Sequence, residues 1–202
     1  PVWMYQVQGR HHFESTPLVF DGVMYLTDPP SDVVALDVKT GRPLWAYRRS
    51  LPDDLRACCG NVNRGVAALG DQIFVATIDA HLVALDMRTG RVRWDVEVAD
   101  YKTGHSLTAA PLAVKDKVIV GMAGAEYGVR GFLDAYDAAT GKRAWRLWTV
   151  PGPGEPGHDT WSGDSWKRGG ATTWVTGAFD PDTNLTYWGT GNPGPDFIGD
   201  VR

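Results

Sequence analysis

Cysteine is scarce here. The chain has two, and they are neighbours, Cys58-Cys59. Two cysteines do not fix a redox compartment by count; only their adjacency argues for an oxidising one. A large excess of charge of one sign is also lacking. The formal net charge is -4 and no Lys/Arg run occurs, so a nucleic-acid partner has no electrostatic support. No apolar run reaches the roughly 18 residues that mark a membrane span. No secretory signal is visible, and the sequence starts at Pro1 instead of Met. No Ser-His-Asp arrangement stands out. Gly124, Gly128 and Gly131 have the wrong spacing for a dinucleotide fingerprint and precede a strand-like run. His11-His12 has no partners at zinc-ligand spacing, which leaves solvent or loop contacts for the pair. Asn184-Leu185-Thr186 is a formal glycosylation triplet of little weight.

Hydrophobic residues make up 43% and charged residues 22%, a globular composition. Twenty-four Gly and thirteen Pro, spread along the length, call for many turns and few long helices. One eleven-residue pattern, A-x-D-x-x-T-G-x-x-x-W, occurs three times: Ala35 to Trp45, Ala84 to Trp94 and Ala135 to Trp145. The Trp steps are 49 and 51 residues, close to the period of a propeller blade.

Each repeat reads as β structure. Runs such as Val23–Thr27 and Val33–Leu36 precede the first motif, and comparable runs precede the others. Asp-x-x-Thr-Gly is a tight turn, with Gly41, Gly90 and Gly141 able to take a positive φ. The Trp follows on the next strand. About four short strands per repeat predict an all-β partial propeller. Trp45, Trp94 and Trp145 are then architectural: an indole at a fixed place in each blade packs on a neighbour's small residues and gives its N–H to a carbonyl.

Pro1–Tyr5 looks like the last strand of a preceding motif. Residues 151–170 read as loop, with Trp161 and Trp166 embedded. Thr172–Thr176 and Leu185–Gly189 read as strands of an incomplete fourth blade, with Asp180–Asn184 as the turn between them. The expected blades lie around 12–50, 57–99, 106–150 and 170–202, in a single domain. Such a set leaves a ring open, so a longer parent protein is expected.

By themselves, Cys58 and Cys59 admit two readings. Neighbouring Cα atoms are about 3.8 Å apart, less than ordinary disulfides span. The pair is either two reduced, buried thiols or a strained ring of the kind that gathers at functional sites.

Four motifs, in order between the repeats, make the choice. They are Cys58–Gly65 (CCGNVNRG), Gly124–Gly131 (GAEYGVRG), Trp161–Trp166 (WSGDSW) and Gly189–Gly194 (GTGNPG). With them the chain resembles the pyrroloquinoline quinone (PQQ)-dependent alcohol dehydrogenases, periplasmic eight-bladed quinoproteins of the methanol and ethanol dehydrogenase family. The resemblance covers essentially the whole chain, as the N-terminal half of that propeller.

The resemblance implies a vicinal Cys58-Cys59 disulfide against one face of the quinone and Trp174 stacked on the other. Trp174 lies outside the repeat register, unlike the docking indoles. Glu14, Arg64, Thr108 and Thr172 match polar contacts to the cofactor, and Arg64 suits a carboxylate through two parallel hydrogen bonds. Ala123, Gly124 and Ala125 match a segment that contacts it mostly through the backbone; some relatives carry Ser where this chain has Ala123. Glu126 and Asn192 match ligands of a calcium or lanthanide ion, whose hardness suits carboxylate and amide oxygens. The matching catalytic Asp falls beyond Arg202; neither Asp196 nor Asp200 sits on its motif. The 202 residues alone are therefore expected to be inactive.

The implied activity is oxidation of a primary alcohol, with electrons passed to a cytochrome c-type acceptor. Oligomeric state is left open. Two rivals remain at this point: a non-catalytic scaffold like the outer-membrane assembly propellers, and a glucose- or quinate-type quinoprotein. Relatives of the latter kind generally lack the adjacent cysteines.

Overall fold

The repeats fold as sequential antiparallel sheets. A computed structural model describes residues 1–7, 12–195, 198 and 200. The first sheet is β1 (Leu18–Phe20), β2 (Val23–Asp28), β3 (Asp32–Asp37) and β4 (Pro43–Tyr47). The second is β5 (Val66–Leu69), β6 (Gln72–Ala76), β7 (His81–Asp86) and β8 (Val92–Glu97). The third is β9 (Leu112–Val114), β10 (Lys117–Gly121), β11 (Phe132–Asp137) and β12 (Arg143–Trp148). A hairpin of β13 (Ala178–Asp180) and β14 (Leu185–Tyr187) follows. Within each sheet the strand order is the chain order, as in propeller blades.

The conserved chemistry of the turn is the same in all three blades. Asp37 Oδ1 accepts from the Thr40 amide at 2.8 Å and the Thr40 hydroxyl at 2.8 Å. Asp86 with Thr89, and Asp137 with Thr140, repeat it. These side chains satisfy backbone amides that the turn withdraws from the ladder. A register shift also recurs at the motif alanine: Ala35/Leu36, Ala84/Leu85 and Ala135/Tyr136.

The indoles hold blade to blade. Trp45 Nε1 donates to Met87 O at 3.1 Å, and Trp94 Nε1 to Ala138 O at 3.0 Å. Their rings cover Gly90 and Gly141 so closely that a β-carbon there would meet the ring. Trp3 does the same to Gly41 and donates to Val38 O at 3.1 Å. No strand forms at Pro1–Tyr5, contrary to expectation; the docking survives without the ladder. Trp145 is 42% exposed and lies over no glycine turn among the described residues.

Between sheets the core is apolar. Tyr25, Val33, Ile73 and Leu85 join the first sheet to the second, beside Trp45. Phe74, Leu82, Val118 and Phe132 join the second to the third, beside Trp94. Each such side chain contributes about 1.5–3 kcal/mol on burial.

A second strand expectation fails. Thr172–Thr176 is irregular, and the hairpin forms further on, at β13 and β14. Two buried threonines satisfy the local backbone instead. Thr173 Oγ1 accepts from Met122 N at 3.2 Å and donates to Phe132 O at 3.0 Å. Thr172 O accepts from Gly191 N at 2.7 Å.

Candidate active site

Loops at one end of the sheets enclose a cavity of about 510 Å³, within the usual range for a small-molecule site. Its walls come from five segments separated in sequence. Cys58, Cys59, Val62 and Arg64 supply one; Ser106 and Thr108 the second; Ala123, Gly124, Ala125 and Glu126 the third. Thr172, Trp174, Thr190, Gly191 and Asn192 complete it.

The Cys58–Cys59 sulfurs are bonded, with Cα atoms 3.8 Å apart. Cys59 takes φ 67 and Gly60 φ 93, a reversal that turns the loop back. Asn63 anchors it from beneath. Its side chain is fully buried, donates to Ala76 O at 2.7 Å and accepts from Gly65 N at 3.1 Å. The Arg64 amide donates to Thr108 O at 3.1 Å, and Thr16 N donates to Arg64 O at 3.1 Å. The loop is thus tied to its neighbours on both sides.

Arg64 serves two surfaces. Its guanidinium meets Glu14 Oε2 at 2.6 Å and lies 5.1 Å from the centroid of Trp174. Glu14 does not itself border the cavity; it reaches it through Arg64. Trp174 is 45% exposed, an indole face left open instead of buried in a blade seam. Thr108 Oγ1 donates to Trp174 O at 3.3 Å and fixes the base of that residue.

Glu126 sits in a single helical turn, Ala125–Tyr127, closed by Gly128 at φ 72. Gly124 precedes it at φ 120, where a β-carbon would strike the Gly104 carbonyl. One carboxylate oxygen of Glu126 and both sulfurs lie within 4.8 Å of one another. Asn192 borders the same cavity, its backbone carbonyl accepting from Ala171 N at 2.8 Å. Asp196 and His11 lie outside the described residues.

All the expected residues except Glu14 thus border one cavity. Val62, Ser106, Thr190 and Gly191 were not singled out in the sequence. Val62, Thr190 and Gly191 lie inside motifs that were, so their motif neighbours were the available signal. Ser106 lies outside the four motifs, two residues before Thr108, and is seen as a wall only through the fold.

The family model for the PQQ glucose/ethanol/alcohol dehydrogenase β-propeller domain matches residues 2–202. The chain belongs to this family. It is 46% identical to the quinoprotein alcohol dehydrogenase PedH of Pseudomonas putida, over 96% of this chain and 36% of that protein. It is 42% identical to methanol dehydrogenase [cytochrome c] subunit 1 of Methylobacterium organophilum, with the same two coverages, 96% and 36%. A solved europium-containing methanol dehydrogenase superposes with a TM-score of 0.89 at 38% identity, covering 95% of this chain and 37% of its own. The chain therefore spans about a third of the length of the curated relatives it matches. BamB of Moraxella catarrhalis superposes at a TM-score of 0.64 but only 19% identity, over 93% of this chain and 49% of its own, which is a likeness of fold alone.

Proposed function

We propose that this cavity binds PQQ between the Cys58-Cys59 disulfide and Trp174, with calcium or a lanthanide held by Glu126 and Asn192. The protein carrying it would be a periplasmic dehydrogenase of primary alcohols that passes electrons to a cytochrome c-type acceptor. The observation that carries this reading is convergence. Cys58, Cys59, Glu126, Trp174 and Asn192 come from segments up to 134 residues apart and border one cavity. A scaffold propeller needs no such meeting, and the likeness to BamB extends to fold only.

The residues fit the group. A flat disulfide and an open indole suit an aromatic slab. Arg64 has five N–H donors, so it can keep Glu14 and still meet a carboxylate. A carboxylate and an amide oxygen on one rim suit a hard cation. When bound, the quinone supplies the redox chemistry and the cation polarises its carbonyl. This chain orients the cofactor through Arg64 and Thr108, places the cation through Glu126 and Asn192, and excludes water from both faces with Trp174 and the disulfide. An oxidising compartment suits the disulfide.

The test uses the full-length gene product. Alcohol oxidation with an artificial electron acceptor should need both PQQ and a cation. Glu126→Gln should weaken cation binding at least tenfold, about 1.4 kcal/mol, and Trp174→Ala should weaken PQQ binding. Absence of both PQQ binding and alcohol oxidation in the folded wild type sinks the proposal.

A further inference from the structure

The two proposed metal ligands reach the cavity on separate loops, and one short strap joins those loops. The strap is Gly169–Thr172. On one edge Gly170 N donates to Val129 O at 2.9 Å, and Gly131 N donates to Gly170 O at 2.8 Å. On the other edge Ala171 N donates to Asn192 O at 2.8 Å, Gly191 N to Thr172 O at 2.7 Å and Gly194 N to Gly169 O at 2.8 Å. Gly170 stands at the crossing with φ +64. A β-carbon there would come within 2.6 Å of Asn192 O and 2.7 Å of Gly194 N. The spacing between the loops of Glu126 and Asn192 is therefore set by where this strap sits.

Arg130 packs at the entry to that strap. Its side chain leaves the Glu126 loop four residues after the ligand and is 14% exposed. The guanidinium is sandwiched, 4.3 Å from the Trp148 centroid and 4.8 Å from that of Trp166. Nε donates to Val150 O at 2.8 Å, and Nη2 meets Glu155 Oε2 at 3.2 Å. Glu155 in turn accepts from Gly152 N. A β-carbon on Gly152 would come within 3.0 Å of Arg130 Nη2. Trp166 belongs to the turn Ser165–Arg168, which leads directly into the strap. One planar cation thus joins a blade strand (Trp148), the loop start (Val150) and the strap's entry (Trp166) to the ligand loop. Lysine has no plane to stack on two indoles and no fork to serve Val150 and Glu155 together.

We propose that Arg130 is a positioning residue for the metal rim, holding Glu126 and Asn192 at working separation by clamping the Gly169–Thr172 strap. This inference rests on the metal reading given above. It is tested in the full-length gene product with terbium luminescence, calcium competition and a separate PQQ titration. Arg130→Ala and Trp166→Ala are each expected to weaken terbium binding tenfold or more, while PQQ affinity moves less than threefold. Arg130→Lys should recover only part of the loss. Arg93→Ala, which removes the surface ion pairs to Asp71 and Asp86 in the second sheet, should change neither. Without metal, hydrogen exchange at the Ala171, Gly191 and Gly194 amides should rise in Arg130→Ala, but not at the β7 amides.

Unchanged terbium affinity in a folded Arg130→Ala protein overturns the clamp. So does a parallel loss of terbium and PQQ binding, which is what plain destabilisation gives. If Arg130→Ala does not fold, Trp166→Ala and Arg130→Lys decide; failure of all three to fold overturns positioning in favour of a purely structural role. A folded wild type that binds no terbium or calcium removes the metal reading itself, and the clamp's role with it. Faster strap exchange in Arg130→Ala would then still separate that failure from an error about the strap.

Discussion

Asp134 shows what a single residue must have around it. It is fully buried on β11, where a carboxylate survives only if paired. Arg146, its cross-strand partner on β12, meets it with Nε at 2.7 Å and Nη2 at 2.7 Å. The Tyr136 hydroxyl donates at 3.0 Å. That buried phenol, beside a carboxylate, is pushed well above its ordinary pKa, first by burial and then by Asp134. Arg146 also lies 3.6 Å from the Phe132 centroid, so its stem and plane fill space as well as carrying charge. Removing Arg146 leaves a buried charge with only the Tyr136 hydroxyl and the more distant, half-exposed Arg143 at 3.8 Å. Arg146→Ala should cost about 3–5 kcal/mol, measured by urea unfolding, whereas Asp134→Asn with Arg146→Met together should cost much less. Equal costs for the single and the double variant would show that the charge pairing is not what matters. None of this could be read from Phe132-Leu133-Asp134 alone; only β12 reveals the partner.

At the scale of the element, the Asp-x-x-Thr-Gly turn does two things that can be separated. Gly90 and Gly70 both have positive φ, +69 and +60, yet only Gly90 lies under an indole. Gly70→Ala should cost about 1–2 kcal/mol, the backbone penalty alone. Gly90→Ala adds a collision with Trp45, so about 2–4 kcal/mol is expected from both effects. Equal losses in thermal denaturation would mean that Trp45 does not weld the blades. The Asp of the turn brings a pH dependence. Arg93 first, then the Thr89 hydroxyl, holds the Asp86 carboxyl down to about 2. A folded pKa below the unfolded value means that its contribution is fully present above about pH 4. It is lost as pH falls toward 2. Melting temperature should therefore drop across that window, and Asp86→Asn should flatten the slope.

Sequence periodicity reached this scale well, because the same turn chemistry recurs three times. It misjudged Thr172–Thr176. β-Branched residues there resemble a strand, but Thr172 and Thr173 bond to loops on either side, and the ladder begins at Ala178.

For the molecule as a whole, ligands that bind only the folded state add their binding energy to stability. At a concentration a hundred times the dissociation constant, the gain is about 2.7 kcal/mol. Chelating the cation from the PQQ-loaded full-length protein should lower its melting temperature, and calcium or a lanthanide should restore it. A melting temperature indifferent to chelator, PQQ and cation would contradict the cavity's proposed occupants. The same view explains why the site was only partly legible. Cys58-Cys59 and the Glu126 and Asn192 motifs are local strings, visible through resemblance. Val62, Ser106, Thr190 and Gly191 become walls only when the loops meet.

Order along the chain was enough to specify the repeated sheets, the turn that ends each third strand and the indole that seals each seam, because those depend on residues within one repeat or one period away. Convergence was decided elsewhere. That the two sulfurs, Trp174, Glu126 and Asn192 share a cavity, and that Arg130 governs the strap between two of their loops, depends on how successive sheets lean on one another. Contacts between loops that follow no repeat register carry no local periodicity; they exist only once the blades have packed.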